Sequence, residues 1–593
     1  MSTTINQLFD RYRGGSQVQL WQGRSIRDLD LDVERNVRPL SYLLAQYAAR
    51  EFRMGTLYHN LALGAQWDVS HFKDKKEGDQ YLQTVTKAGM KPDVAAGNYE
   101  RPPHEKALLV LRNLYDALNK DSLPPMLVVF EFSENTIGDV QSLAPDVIFP
   151  LGEMISLLSG GYNIRRHKVL VLFCTEYPEA LPERVLRSLP ILRVANPNKG
   201  EKKSFIKALR DSSLRKTARY SPGLDDDTIA NLASDTPNVS LESAFYASAK
   251  LGTPIKEQEL LEQKKQDVLR LSQGMLSLTD TSRTRGIRLR GHMIEPPLKL
   301  LSLWGARLKA GDPRVPSNIL LAGAPSGGKT DMAVSFGQAA GLNTFEIHSP
   351  KGCLVGETER RAALQWRLLK DFAPNIGVID EITEAFPVSR SDANLDSGAS
   401  SAVVAQLLTA LSDVSRAGKS VLIATTNIPQ RMGTALQSRF TVVPVLSAIR
   451  EDYPGIIVSL VRVLDPKTTF TAEEPEIRQA ADIFYEKGCM PRVIRAMLVS
   501  SLSLNNEPLS LGMILESAQN AFETTHRDRS SIEYADLFSI KLASDRRYLP
   551  WSATPESFPY PEYLKSIVRS RDGGIEFDRL NARLEELKPH IDL

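Results

Sequence analysis

The residues best equipped for chemistry lie in NILLAGAPSGGKTDMAV, 318–334. Gly323, Gly328, Lys329 and Thr330 stand there in the spacing G-x-x-x-x-G-K-[ST], after an apolar run and before a helical one. Such a loop, Gly323-Ala324-Pro325-Ser326-Gly327-Gly328, can wrap so that its backbone N–H groups point inward at phosphates. The helix that follows adds partial positive charge at its start. Lys329 would reach the β/γ oxygens, the Thr330 hydroxyl would ligate Mg²⁺, and Asp331 is counted with the loop. At average residue frequencies the pattern arises by chance in roughly one chain of this length in fifty. A glycine turn beside a surface lysine is therefore rejected in favour of a nucleotide site, with ATP and Mg²⁺ as the expected ligands.

Further polar residues follow at the ends of apolar runs. NIGVIDE ends in Asp380 and Glu381. Downstream of a phosphate loop, Asp380 would hold Mg²⁺ through water and Glu381 would polarise the attacking water as general base. Without that loop the pair would read as a solvated turn. VLIATTN places Asn427 at the tip of another run, where a neutral amide can orient the water without adding charge. TALQSRF carries Arg439, which could neutralise a neighbouring subunit's γ-phosphate in the transition state. GCMPRVIRAML carries Arg492, expected over the γ-phosphate, with Arg495 one turn on as its competitor.

These residues must be held at strand ends, and the chain offers two sets of strands. PMLVVFEFSE (125–134) precedes HKVLVLFCTEYPEALPERV (167–185), as NIGVIDEI (375–382) precedes KSVLIATTNIPQ (419–430). Short apolar runs separated by helical patterns predict parallel strands buried on both faces. The fold class expected is α/β, two modules in tandem. The boundaries read as a first module at 1–224, a helical lid or connector at 225–285, a phosphate-binding α/β core at 286–449, a helical lid at 450–547 and a tail at 548–593. The tail, rich in proline before a short charged helix, reads as an appendage without chemistry.

Gly323–Thr330, Asp380-Glu381, Asn427, Arg439 and Arg492, in this order and spacing, resemble an AAA+ ATPase. They match its Walker A, Walker B, sensor 1, arginine finger and sensor 2. SPKGCLVGETERRAALQWRLLKDFAPNIGVIDEI also resembles the AAA clade, which places a pore loop there. The resemblance implies a P-loop NTPase module with a parallel sheet and helical lid, preceded by a degenerate α/β AAA-like module. It further implies a homo-oligomeric ring, usually a hexamer, with ATP bound between subunits and Leu354 and Val355 at the pore. Gly291 and His292 fall where the family places its adenine-contacting linker. The layout also resembles plastid and cyanobacterial AAA proteins whose first module is degenerate, through the Lys-rich helix at 261–270 and DSGASSAVV after Walker B. Two departures stand out: the pore segment lacks an aromatic, and LQSRF offers one arginine where the clade often has two.

The first module has no G-x-x-x-x-G-K-[ST] between Met1 and Phe130, and VVFEFSE lacks the Asp-Glu pair. Glu131 and Glu134 could hold a metal, but without a phosphate cradle the module reads as structural or partner-binding; Arg184 or Arg187 could touch a neighbour. Composition narrows the classes. With 593 residues, 42% hydrophobic and 24% charged, the chain is globular and several domains long. A formal charge of +2 excludes a globally basic nucleic-acid binder, and the clusters NIRRHK, NKGEKK and RTRGIRLR lack interleaved aromatics. Three scattered cysteines argue for a reducing compartment, and no long apolar run or leader is visible, so a cytoplasmic protein without a membrane anchor is expected. The favoured expectation is a ring that remodels a protein client whose identity the residues do not give. A nucleotide-gated scaffold and a nucleic-acid-responsive ATPase are the alternatives.

Overall fold

A computed structural model of the chain describes residues 3–60, 62–90, 103–119, 123–133, 145–176, 181, 186–187, 189–212, 216–279, 291–349, 357–386, 399–504 and 508–591. They fall into two compact units, Met1–Arg270 and Leu271–Leu593. The first contains β1 (Val18–Gly23), β2 (Leu29–Leu31), β3 (Val37–Pro39), β4 (Gly55–Asn60), β5 (Gly64–Asp68), β6 (Met126–Phe130), β7 (Val169–Thr175) and β8 (Ile191–Val194). Six of these form a sheet in the order β5-β4-β6-β7-β1-β8, and β2 pairs with β3 as a separate antiparallel hairpin. Within the sheet only β5 runs antiparallel.

Both faces of this sheet are covered, which is why MLVVF and VLVLFCT are buried at every position. Successive side chains alternate between two cores. Leu20, Val128, Val171 and Phe173 pack with Leu111 and Leu114 on one face. Trp21, Leu127, Val129, Leu170 and Leu172 pack with Leu44 and Ala48 on the other. A helical cluster built from Phe205, Ile206, Ile229, Leu241, Phe245, Ile255 and Leu260 completes the unit. The expected connector is thus divided: its helices through Arg270 belong to the first unit, and Leu276–Leu278 joins the second sheet.

The second unit contains β9 (Leu276–Leu278), β10 (Asn318–Ala322), β11 (Asn343–Ile347), β12 (Asn375–Ile379), β13 (Ser420–Thr426) and β14 (Thr441–Pro444), with a small pair β15 (Val568–Arg569) and β16 (Gly574–Ile575). The sheet order is β14-β10-β13-β12-β11-β9, parallel except for β9. Ile319, Leu321, Ile376, Val378, Val421 and Ile423 bury against Met332, Phe336, Leu301 and Trp304. Helices Tyr453–Leu464, Pro475–Glu486, Pro491–Leu504 and Leu511–Asn520 form a separate apolar cluster around Ile457, Ile477, Phe484 and Ile494. Helix His526–Leu542 then returns to β14 and β10.

The segment after Tyr548 differs from the appendage expected of it. Trp551, Phe558, Leu564, Ile567, Leu580, Leu584 and Leu587 are buried with Tyr534, Leu537 and Ile540 of helix His526–Leu542. Its apolar residues are spread between prolines and charges, so no periodic stripe reveals them. Arg583 fastens the last helix to Glu533 with contacts of 2.6 and 3.1 Å. Among the described residues, no helix is long and apolar enough to cross a membrane.

The two sheets share one topology. In β8-β1-β7-β6-β4 and in β14-β10-β13-β12-β11, the first parallel strand lies between the fifth and the fourth, followed by the third and second. Their registers also agree. Phe130 faces Phe173 as Ile379 faces Ala424, and Gln22 faces Thr175 as Ala322 faces Thr426. Gly23 therefore corresponds to Gly323, Glu131 to Asp380, Phe132 to Glu381 and Glu176 to Asn427.

Candidate functional site

The phosphate loop leaves β10 at Gly323 and enters helix Lys329–Ala340. A Cβ on Gly323 would lie 1.8 Å from the carbonyl oxygen of Val445, so only glycine allows the loop to pass the chain leaving β14. Gly328, the N-cap, is left-handed (φ 78°), which turns the loop into the helix. Lys329 is buried, and its Nζ donates to the carbonyls of Gly323 (3.1 Å) and Ala324 (2.7 Å) and to Asn427 Oδ1.

The acids stand beyond the end of β12. Thr330 Oγ1 and Thr425 Oγ1 donate to Asp380 Oδ1 at 2.8 and 2.6 Å. Glu381 is left-handed (φ 47°), a costly conformation for a residue with a side chain, and its N–H donates to Thr425 Oγ1 at 3.0 Å. Its carboxylate accepts from the Asn427 side-chain amide and, at 3.1 Å, from the Asn427 N–H. Asn427 thus joins the lysine and the glutamate. The adjacent hydroxyl and carboxylate of Thr330 and Asp380 are hard oxygen donors on an exposed rim, a donor set that fits Mg²⁺.

Burial dominates the electrostatics. It pushes Lys329 down to about 8 against the opposing pull of Glu381, Asp536 and Asp380. It also raises Glu381 above the usual carboxylate range, partly offset by the Asn427 N–H and Lys329, which makes it a better proton acceptor. Asp331 is raised by burial too, with Arg495 acting against the shift.

These groups open on a pocket of about 400 Å³. Pro325 to Asp331, Asp380, Glu381 and Asn427 line its polar part, and Ile294, Ile456, Leu460 and Val463 line an apolar part suited to a nucleobase. Arg492 and Arg495 both line it, so the structure brings the two competing arginines to the same wall. Gly291 and His292 do not. They line a neighbouring cavity of about 700 Å³, where His292 Nδ1 lies 2.7 Å from Asp452 Oδ1. The apolar wall and Thr425 were missed from sequence. Ile456, Leu460 and Val463 follow ordinary helical spacing, which signals burial and says nothing of a ligand.

Arg439 is set apart from its own pocket. It precedes β14, and its carbonyl accepts from Asn318 at the start of β10, while the phosphate loop leaves the other end of that strand. The length of β10, roughly 16 Å at about 3.3 Å per residue, separates them. Its guanidinium is exposed and contacts Ser412 Oγ (3.0 Å) and the Ala435 carbonyl (2.7 Å). Leu354, Val355, Glu134, Arg184 and the basic run 283–290 lie outside the described residues.

At the matching end of the first sheet, the stretch Arg24–Pro39 with its β2–β3 hairpin replaces the loop. Gly23 is retained for the same close approach, its Cβ position 2.5 Å from the Val194 carbonyl oxygen. Buried Arg24 pairs with Asp28 (2.6 Å) and Asp30 (3.1 Å). Arg27 pairs with the fully buried Glu131 at 2.6 Å, and Asn60 donates to the same oxygen at 2.9 Å. Asp28 also accepts from the Val239 N–H (2.9 Å), and Asn238 donates to the Leu29 carbonyl (2.8 Å). Phe132 keeps the left-handed backbone of Glu381 (φ 51°) without its carboxylate.

Comparison with known families adds a match over residues 319–447 to the ATPase family associated with various cellular activities (AAA). The ATPase family gene 2 protein of Schizosaccharomyces pombe is 37% identical over 124 residues, 21% of this chain and 15% of that protein. The human ATPase family gene 2 protein homolog A is 24% identical over 328 residues, 48% and 35% respectively. The cell division cycle protein 48 homolog of Archaeoglobus fulgidus is 32% identical over 145 residues, 24% and 19%. The chain therefore spans well under half the length of these relatives.

Proposed function

From an AAA ATPase domain at residues 319–447, we propose that the chain hydrolyses ATP within a homo-oligomeric ring whose ATP sites are shared between subunits, Arg439 serving the neighbour's site. The observation that carries this is its place at the sheet end opposite its own phosphate loop. Six subunits, a cytoplasmic location and a protein client as the object of the work extend the same reading.

In this mechanism the loop amides and Lys329 hold the phosphates, and the apolar wall takes the base. Thr330 and Asp380 would hold Mg²⁺, which supplies charge neutralisation on the phosphate oxygens. Glu381 takes the proton of the attacking water while Asn427 holds its carboxylate in place. Arg492 and Arg495 offer positive charge from the helical side of the pocket, and Arg439 offers it from the next subunit. The first unit reads as a degenerate module of the same kind, supported by its matching strand order and register.

The test is hydrolysis against protein concentration, with mass photometry in ATP, for wild type and Arg439→Ala. Specific activity should rise with assembly, and Arg439→Ala should assemble without hydrolysing. Mixing Arg439→Ala with Glu381→Gln should restore part of the activity. Concentration-independent turnover that survives Arg439→Ala would remove the shared site. A nucleotide-gated scaffold is the second reading, favoured by a first unit whose strand ends are covered by its own residues; there Glu381→Gln would lock the assembly in its active state.

A further inference from the structure

Asp536 lies on helix His526–Leu542 and has no exposed surface. Its oxygens accept from the Ser447 N–H at 3.1 and 3.3 Å, and Tyr563 Oη donates to Oδ2 at 3.1 Å. The backbone N–H of Ala324, inside the phosphate loop, also favours the charged form of this carboxylate. Ala324 thus has Asp536 on its N–H side, and its carbonyl accepts from Lys329 Nζ at 2.7 Å. Ser447 follows the stretch around Val445, whose carbonyl presses on Gly323. One carboxylate therefore fixes the loop and the chain it packs against. Ser447 N–H and Tyr563 Oη both donate to it, and an asparagine of the same shape would turn an N–H₂ toward one of them.

Asp536 is absent from the pocket lining, so it does not meet the nucleotide. Tyr563 belongs to the C-terminal segment, which is packed onto the same helix through Trp551, Leu564 and Leu580. Building on the reading of this pocket as an ATP site, we propose that Asp536 is a positioning residue for the phosphate loop and that Tyr563 makes the C-terminal segment part of the nucleotide machinery. The route runs from Tyr563 through Asp536 and Ala324 to Lys329.

The experiment titrates the full chain with ADP and measures kcat and KM for ATP in wild type, Asp536→Asn, Tyr563→Phe and Arg583→Ala. Asp536→Asn should weaken ADP binding about tenfold or more, the scale of a lost hydrogen bond to a charged group. It should also raise KM for ATP more than it lowers kcat, because the loop that holds the phosphates shifts while Asn427 keeps its hold on Glu381. Tyr563→Phe should shift both in the same direction by about threefold in affinity, the scale of one modest hydrogen bond, and it keeps the test alive if Asp536→Asn fails to fold. Arg583→Ala, which cuts the Glu533 contact to the same helix, should leave both unchanged. Wild-type ADP affinity and KM in both Asp536→Asn and Tyr563→Phe would overturn the proposal, as would equal losses in Arg583→Ala. Failure of the wild type to bind ADP would instead overturn the ATP-site reading beneath it.

Discussion

The two units place the same strand ends in the same register and use them differently. In the second, a short glycine loop leaves the ends of β10, β12 and β13 facing a pocket. In the first, the Arg24–Pro39 stretch brings Arg24, Arg27 and Asp28 to the corresponding end and bonds it to the helix Asn238–Leu251. Glu131 meets the chain's own Arg27, whereas Asp380 meets Thr330 and Thr425. The backbone is common to both, including the left-handed residue after the third strand. Chemistry thus depends on the loop after the first strand and on a few strand-end side chains, not on the sheet.

The largest effect that would break the comparison is at the lysine. Lys329→Ala should abolish turnover and lower ATP affinity by about a thousandfold, since it removes the loop's buried positive charge; nucleotide binding and phosphate-release assays check this. Glu381→Gln should lower turnover by about 10²–10⁴-fold while ATP remains bound, measured by the same assays. In the first unit, Arg24→Ala leaves Asp28 buried without its partner and should destabilise that unit by about 3–5 kcal/mol in denaturant unfolding. If it instead created a second ATP site, the contrast between the units would fail.

A smaller effect concerns pH. Burial lowers Lys202 to about 7 and Lys264 to about 8, so from there toward 10.5 the unfolded chain binds more protons than the folded one. The first unit should therefore gain stability as pH rises from about 7 to 9, and Lys202→Met should flatten that rise in thermal unfolding.

How legible each part was follows from the range of its contacts. Gly323–Thr330 could be read because its chemistry lies in consecutive residues, and β6, β7, β12 and β13 because they are buried on both faces. Arg492 could not be separated from Arg495, since one helical turn puts both on the pocket. Asp536 and Tyr563 escaped notice because their partners come from distant parts of the chain. Arg24, Asp28 and Asp30 belong to no motif, and only the fold shows two of them buried together. The absence of a phosphate loop in the first module was visible; what stands in its place was not.

The most direct test is the stoichiometry of ATP binding to the hydrolysis-deficient Glu381→Gln chain, by calorimetry, with and without Lys329→Ala. One nucleotide per chain, falling to none when Lys329 is replaced, is the predicted result. Two nucleotides per chain, or one surviving the loss of Lys329, would show a working site outside the second unit's loop and contradict the account.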